Sequence, residues 1–183
     1  RRNADFVVSA LLMLVFCSSA WAQISAGGTP ASFEHAISST VPTQTMPAVD
    51  VATLLAEDEA ERVAMAPIMP PLRMSYGHDV NWNLDNSGLW ETLPSGERVW
   101  RLRIECPEAN AMFFWFNEWN IPKGGRLFIY NDDLSDVRGA FNHENNWVDG
   151  TNAIAPIPGS ALTLEYNISP EQPENGVLSI GKV

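Results

Sequence analysis

The amino-acid sequence predicts a mainly β protein, an antiparallel β-sandwich or jelly-roll-like domain with one short N-terminal helix. Three observations support this fold class. Apolar and polar residues alternate along short segments after Pro71, as in the run 99–104. Turn-forming residues separate these segments, at 94–96, 122–125, 131–133 and 158–159. Only the stretch 50–62 has the apolar spacing of an amphipathic helix.

The first element, residues 1–22, is predicted to be a cleavable secretion signal. Two arginines begin the chain, residues 6–16 are almost entirely apolar, and the small residues Ala20 and Ala22 precede Gln23. A membrane-spanning helix needs about 20 apolar residues, and this stretch is shorter. We therefore expect cleavage between Ala22 and Gln23, a secreted protein, and no membrane association afterwards.

Residues 23–66 are predicted to form an extended arm that carries the short helix, and residues 67–183 the β-sandwich domain. Ser, Thr, Ala, Gly and Pro dominate 23–47, where apolar periodicity is lacking. The segment 24–33 could nevertheless dock on the domain as a strand or strap, because the ring of Phe33 requires burial.

The helix predicted over 50–62 has Val51, Leu54 and Leu55 on one side. Either Asp50 is its N-cap or Pro47 lies in its first turn. Its other positions are crowded by acidic residues, Glu57, Asp58, Glu59 and Glu61. We interpret this acidic run as a solvated helix surface. A partner-binding face is the alternative interpretation.

The segments predicted to be strands are 99–104, 112–116, 127–130, 137–141, 162–166 and 177–183. In the first, Trp100, Leu102 and Ile104 form the apolar face. The segment 112–116 is apolar on both faces, which predicts a strand in the middle of the sandwich with Trp115 in the core.

Charge and cysteine content exclude several functions. The formal net charge of −11 becomes −12 without residues 1–22, because Arg1, Arg2 and Asp5 leave with them. A chain with this negative charge lacks the basic surface that binding to nucleic acid or to an anionic membrane requires. Cys106 is the one cysteine of residues 23–183, so no disulfide can form within this segment. We expect it to be a small buried residue at a strand end.

The sequence predicts no catalytic residues, no cofactor and no metal in this chain. Only His35, His78 and His143 could serve in a serine-protease triad, and no Gly-Asp-Ser-Gly segment is present. A turn also holds several possible calcium ligands, Asn131, Asp132, Asp133 and Asp136. It lacks the spacing of an EF-hand, and Asn and Asp favour tight turns without an ion.

Six tryptophans follow the signal and suggest a ligand platform as the alternative to a core role. Trp100 and Trp115 are predicted to be core residues because they lie in apolar segments. Trp119 and Trp147 adjoin loops and are the candidate platform residues. On this interpretation the chain is an independent extracellular β-sandwich that binds glycan or protein.

Several motifs occur in a characteristic order along the domain. They are Pro-Leu-Arg-Met-Ser-Tyr-Gly (71–77), Ser-Gly-Leu-Trp (87–90), Val-Trp-Arg-Leu (99–102), Leu-Phe-Ile-Tyr-Asn (127–131), Gly-Ala-Phe (139–141) and Ile-Gly-Lys-Val (180–183). This order resembles the non-catalytic N-terminal region of secreted bacterial precursors related to lysyl endopeptidase, a trypsin-like serine protease. The departures from the family pattern are Met74, Ser75, Cys106 and Asn142.

The resemblance implies a pro-region or accessory domain that has no activity of its own. It would assist the folding of a trypsin-like, lysyl-specific catalytic domain after Val183, or would inhibit it. That downstream domain of the same chain is the expected partner. The resemblance also implies that this sequence is cut before the catalytic domain and that the full precursor is a serine endopeptidase.

Overall fold

The computed structural model of the protein describes residues 24–183. The predicted secretion signal and its cleavage point between Ala22 and Gln23 lie outside the described residues. Within the described part of the chain, strands dominate and the helices are few and short, which confirms the predicted mainly β fold class.

The helical elements are α1 (Ala31–Glu34), α2 (Val51–Ala64) and a 3-10 helix (His143–Asn145). The strands are β1 (Thr43–Thr45), β2 (Asp79–Asn83), β3 (Leu89–Thr92), β4 (Arg98–Glu105), β5 (Ala111–Asn120), β6 (Gly125–Asn131), β7 (Val137–Phe141), β8 (Asn152–Pro158), β9 (Ala161–Ile168) and β10 (Val177–Lys182). All six predicted strand segments are therefore present.

The strands form two sheets. The first has the order β1–β4–β9–β6–β7, and β3 also pairs with β4. Because β3 pairs antiparallel with residues 98–101 and β1 pairs parallel with 103–105, these two short strands share one edge of β4. The second sheet has the order β2–β10–β5–β8, and every pairing in it is antiparallel.

The main core lies between the two sheets. Alternate residues of β4, including Trp100 and Leu102, meet Phe114 of β5 and Ile180 of β10 in one buried apolar cluster. Burial of these side chains is the principal force that holds the sheets together. The predicted core position of Trp100 is confirmed.

A bulge in β5 changes which of its side chains face this core. Phe116 lies opposite Ile180, whereas Glu118 lies opposite Ser179, so Asn117 is an extra residue in the pairing. One extra residue reverses the parity of a strand. Even-numbered residues face the core before the bulge, and odd-numbered residues face it afterwards.

An N-terminal segment, residues 24–46, here called the arm, crosses the outer face of the first sheet. Its main chain contacts Ala140 in β7, Glu165 in β9 and Arg103 in β4 in turn. The predicted strap therefore forms, and β1 continues it along the sheet edge. The expected burial of Phe33 was wrong, because Phe33 stays 40% exposed and hydrogen bonds hold the arm to the sheet. By contrast, exposed residues on the outer face of the second sheet include Trp115.

The predicted helix is confirmed as α2. The Asp50 carboxylate caps it by accepting hydrogen bonds from the Thr53 N–H, at 3.0 Å, and the Thr53 hydroxyl, at 2.8 Å. None of the side chains of α2 is buried. Among residues 24–183, no helix combines the length and apolar character needed to cross a membrane.

Candidate functional site

The three histidines lie on separate elements. His35 follows α1, His78 precedes β2, and His143 begins the 3-10 helix. The backbone N–H of His78 donates to the carbonyl oxygen of Val183 at 2.7 Å, and its ring packs edge-on against Tyr76. Within the described residues, no imidazole is hydrogen-bonded to a serine or a carboxylate.

The Asn-Asp-Asp turn after β6 uses its oxygens internally. Asn131 Oδ1 accepts from the Asp136 N–H at 3.0 Å, and Asp133 Oδ1 accepts from both the N–H and the hydroxyl of Ser135. The Ser135 hydrogen bonds lower the pKa of the Asp133 carboxyl. Asp132 and Asp136 each pair with an arginine. In the described part of the chain, no group of three or more His, Cys, Asp or Glu side chains could hold a metal ion.

The structure corrects two predictions about the tryptophans. Trp119, a predicted platform residue, is only 2% exposed and packs edge-on against Phe116 and Phe141. It follows the bulge at Asn117, so its side chain turns into the core. Trp115, a predicted core residue, is 45% exposed, because it lies before the bulge on the outer face of the second sheet.

The exposed indoles are instead Trp115 and Trp147, the latter being 56% exposed. Together with Asp149, Thr151 and residues 152–153 they line a depression of about 330 Å³. Trp147 therefore keeps its predicted exposure, but its companion is Trp115. The spacing of the tryptophans alone could not identify this pair, because the bulge determines which residues of β5 face the core.

A buried polar cluster lies beneath the arm. The Glu165 carboxylate accepts hydrogen bonds from the Ser32 N–H at 3.0 Å, the Tyr130 hydroxyl at 2.9 Å and the Asn167 amide at 2.9 Å. The Ser32 hydroxyl also donates to it. Burial, and then the charge of Glu165, raise the pKa of Tyr130. The ring of Phe33 packs edge-on against Tyr130 at a centroid distance of 5.0 Å.

A second polar contact holds the arm further along. The buried guanidinium of Arg101 donates to the Ser38 carbonyl and to Glu91 Oε2, both at 2.6 Å. The Ser38 N–H donates to Glu91 Oε1 at 2.9 Å. Burial opposes the charge on Glu91, but these hydrogen bonds outweigh it and lower the pKa of its carboxyl. Sequence alternation predicts that Arg101 points away from the core, but it does not predict that the arm covers the Arg101 side chain.

A depression of about 430 Å³ lies between α2 and the sandwich. Leu54 and Leu55 of α2 line one side, and Cys106, Met112 and Val183 line the other. The predicted burial of Cys106 is confirmed, and that burial raises the pKa of its thiol. A raised pKa reduces the thiolate fraction, so Cys106 has the features of a packing residue and not of a nucleophile.

Comparison with known proteins yields no assignment: no family model matches the chain, and no solved structure matches it significantly.

Proposed function

We propose that this chain is the non-catalytic N-terminal region of a secreted serine endopeptidase precursor. We further propose that it contacts the catalytic domain through residues 50–76, here called the helix–loop segment. The family resemblance supplies the class of protein. One observation supports the choice of surface. Val183 lies beside the helix–loop segment, and the large apolar side chains of that segment are exposed to solvent.

The helix–loop segment is unusually apolar for an exposed surface. Large side chains in it are exposed to solvent, namely Val51, Leu55, Val63, Met65, Ile68, Met69, Leu72, Met74 and Tyr76. Scattered single apolar residues on a surface need no explanation, but a contiguous series of them is typical of an interaction site. This density favours a partner-binding role over the solvated surface that we expected from the acidic residues.

Charge defines the kind of partner that fits. The segment carries five acidic and two basic side chains. Both cations are already paired, Arg62 with Glu59 at 2.6 Å and Arg73 with Glu57 and Asp58 at 3.2 and 3.0 Å. The remaining charge is negative, so a surface that is apolar at its centre and basic at its rim would be complementary.

The catalytic domain implied by the resemblance would begin close to this segment. Val183 and His78 exchange backbone hydrogen bonds of 2.7 and 3.0 Å, and Val183 lines the same depression as Leu54 and Met74. A domain joined by a short connection acts at a high effective concentration, so even a weak contact would be occupied. The contact would stabilise whichever state of the catalytic domain it fits, and this stabilisation would underlie a folding or inhibitory role.

The first test is to determine the coding sequence beyond Val183 and to express the whole precursor. We expect a trypsin-like domain, and activity on lysyl peptide amides after processing. Leu55→Ser and Met74→Ser remove exposed apolar groups, so they should leave this domain folded. We expect them to reduce the yield of active enzyme or to release activity before processing.

The matched control is Val148→Ser, because Val148 is also a fully exposed apolar residue but lies in the loop before β8. This variant should behave as wild type. Absence of a protease domain after Val183 would refute the proposed function. Wild-type yield and latency in both helix–loop variants would refute the proposed contact surface.

A further inference from the structure

The structure points to a second binding site, at Trp115 and Trp147, that is separate from the helix–loop segment. We infer that this site binds a neutral saccharide. Two large indoles lie partly exposed around one depression, whereas Trp100 and Trp119 are buried in the core. Exposed indole surface is costly in water, and two such surfaces in one concave site are typical of ligand binding.

The loop that carries Trp147 is fixed before any ligand arrives. The Asn146 side chain accepts from the Ile121 N–H at 2.9 Å and donates to the Ile121 carbonyl at 2.8 Å. On the other side of Trp147, the Gly150 carbonyl accepts from the Trp119 N–H at 2.7 Å, and the Gly150 N–H donates to the Trp147 carbonyl. A site that is ordered in advance loses little conformational entropy on binding.

The other indole, Trp115, projects from a regular strand. It is 45% exposed and lies opposite Ala153 of β8 and Lys182 of β10. Lys182 is held by Asp79 at 3.2 Å. The two indoles thus come from one rigid strand and one anchored loop, an arrangement that keeps their relative position constant.

Polar groups beside the indoles suit sugar hydroxyls. Asp149 Oδ1 accepts from the Thr151 N–H at 3.1 Å, which orients the carboxylate at the edge of the depression. The Thr151 hydroxyl can both donate and accept. A pyranose ring has a face of C–H groups that can cover an indole and a rim of hydroxyls that can bond to Asp149 and Thr151. The depression of about 330 Å³ is at the small end of ligand sites, which fits a short segment of one glycan chain.

Charge selects a neutral sugar over an acidic one. Asp149 contributes a negative charge at the site, and the chain as a whole has a formal charge of −11. Both would repel a uronate or a sulfated sugar. The same acidic environment disfavours an anionic partner of any other class.

The test uses three probes, cellotriose, maltotriose and chitotriose, titrated into the full chain by calorimetry up to about 10 mM. Binding is followed in parallel through the indole N–H signals in NMR spectra. We expect at least one trisaccharide to bind saturably and to shift the Trp115 and Trp147 signals while leaving the buried Trp100 signal in place. Trp147→Ala and Trp115→Ala should each weaken binding by about tenfold or more, because each removes one stacking surface.

Phe33→Ala is the matched control, because Phe33 is a 40% exposed aromatic on the arm, outside both proposed sites, and it should bind sugar as wild type does. Failure of all three probes to bind, or retention of binding in both tryptophan variants, would overturn the inference. Concentration-dependent self-association that disappears in Trp147→Ala would also overturn it, since the indoles would then form a contact between copies of the chain. None of these results depends on a protease domain, so the proposed function is tested separately.

Discussion

Ser32 in α1 donates its backbone N–H to Glu165 in β9 across 3.0 Å, and so joins the arm to a carboxylate that has no solvent exposure. The Ser32 hydroxyl donates to the other oxygen of the same carboxylate. A buried carboxylate is strongly destabilising unless hydrogen bonds compensate for its lost hydration. The arm therefore covers the first sheet and also supplies hydrogen-bond donors to its buried Glu165 carboxylate.

The first prediction concerns this contact. Ser32→Ala should lower the free energy of unfolding by about 1–3 kcal/mol, because a buried charged acceptor loses a donor. Urea denaturation measures the change. Ser38→Ala is the control on the same arm. Among residues 24–183, the hydroxyl of Ser38 hydrogen-bonds only with Thr40, and the hydrogen bonds of Ser38 to the sheet use its backbone. Equal stability of the two variants would contradict the role assigned to Ser32.

The second prediction concerns pH and Glu91. Its carboxyl pKa is lower in the folded protein than its ordinary value of 4.5, since the Ser38 N–H and Arg101 favour the charged form. A lowered folded pKa gives stability that is fully present above the ordinary value and is lost as the pH falls through the folded pKa. We expect the arm to loosen over that acidic range.

The measurement is the free energy of unfolding of wild type and Glu91→Gln from neutral pH down to about pH 3. The variant should be less stable at neutral pH, and the difference should shrink as the pH falls. Susceptibility of the arm to an acid-active protease should rise in parallel in the wild type. A difference that stays constant with pH would show that the charge of Glu91 does not hold the arm.

The third prediction concerns the close approach of Gly88 to Trp100. Gly88 has φ +72°, and an added Cβ would lie 2.5 Å from the indole and 2.8 Å from the Arg101 carbonyl. Gly88→Ala should therefore displace Trp100 from the core. Gly150→Ala is a matched control, because Gly150 has φ +70° and nothing within 4 Å of its added Cβ.

Both alanine variants incur the cost of about 1–2 kcal/mol for a left-handed residue. We expect Gly88→Ala to lose about 1–3 kcal/mol more, the typical cost of overpacking a core. Thermal unfolding gives the stabilities, and near-ultraviolet circular dichroism reports the surroundings of Trp100. Equal losses in the two variants would mean that the turn before β3 can move away without disturbing the core.

The sequence predicts the sheet elements well where local pattern decides the structure. Alternation along 99–104 identifies the core face of β4, and Asp50 identifies the start of α2. The strands β1, β2, β3 and β8 are not among the six predicted segments. β3 has only four residues. β1, β2 and β8 contain polar residues, alanines or prolines and are held by pairing with strands distant in the sequence. Such pairing depends on tertiary context that no local window contains.

The candidate sugar site was only half predictable for a related reason. Trp147 adjoins turn-forming residues, so its exposure follows from local sequence. Trp115 is exposed and Trp119 is buried because the bulge at Asn117 separates them. This bulge arises in the pairing of β5 with β10, a strand about 60 residues further along the chain. Across the bulge, Gly181 of β10 leaves room for Asn117, because an added Cβ there would lie 3.1 Å from the Asn117 side chain.

The last prediction uses Cys106 to measure how firmly α2 covers the sandwich. The thiol is buried in the depression between α2 and β5, and burial raises its pKa, so it should react slowly with a disulfide reagent in the folded protein.

Asp50→Ala removes the cap of α2, and the loosened helix should let the reagent reach Cys106 several times faster. Asp149→Ala removes a carboxylate in the loop before β8, which lies beside the other end of β5, and should leave the rate unchanged. If the two variants react equally fast, α2 does not control access to Cys106. A faster reaction in Asp50→Ala alone would show that the helix opens locally while the sandwich stays folded, as the proposed contact with a catalytic domain would require.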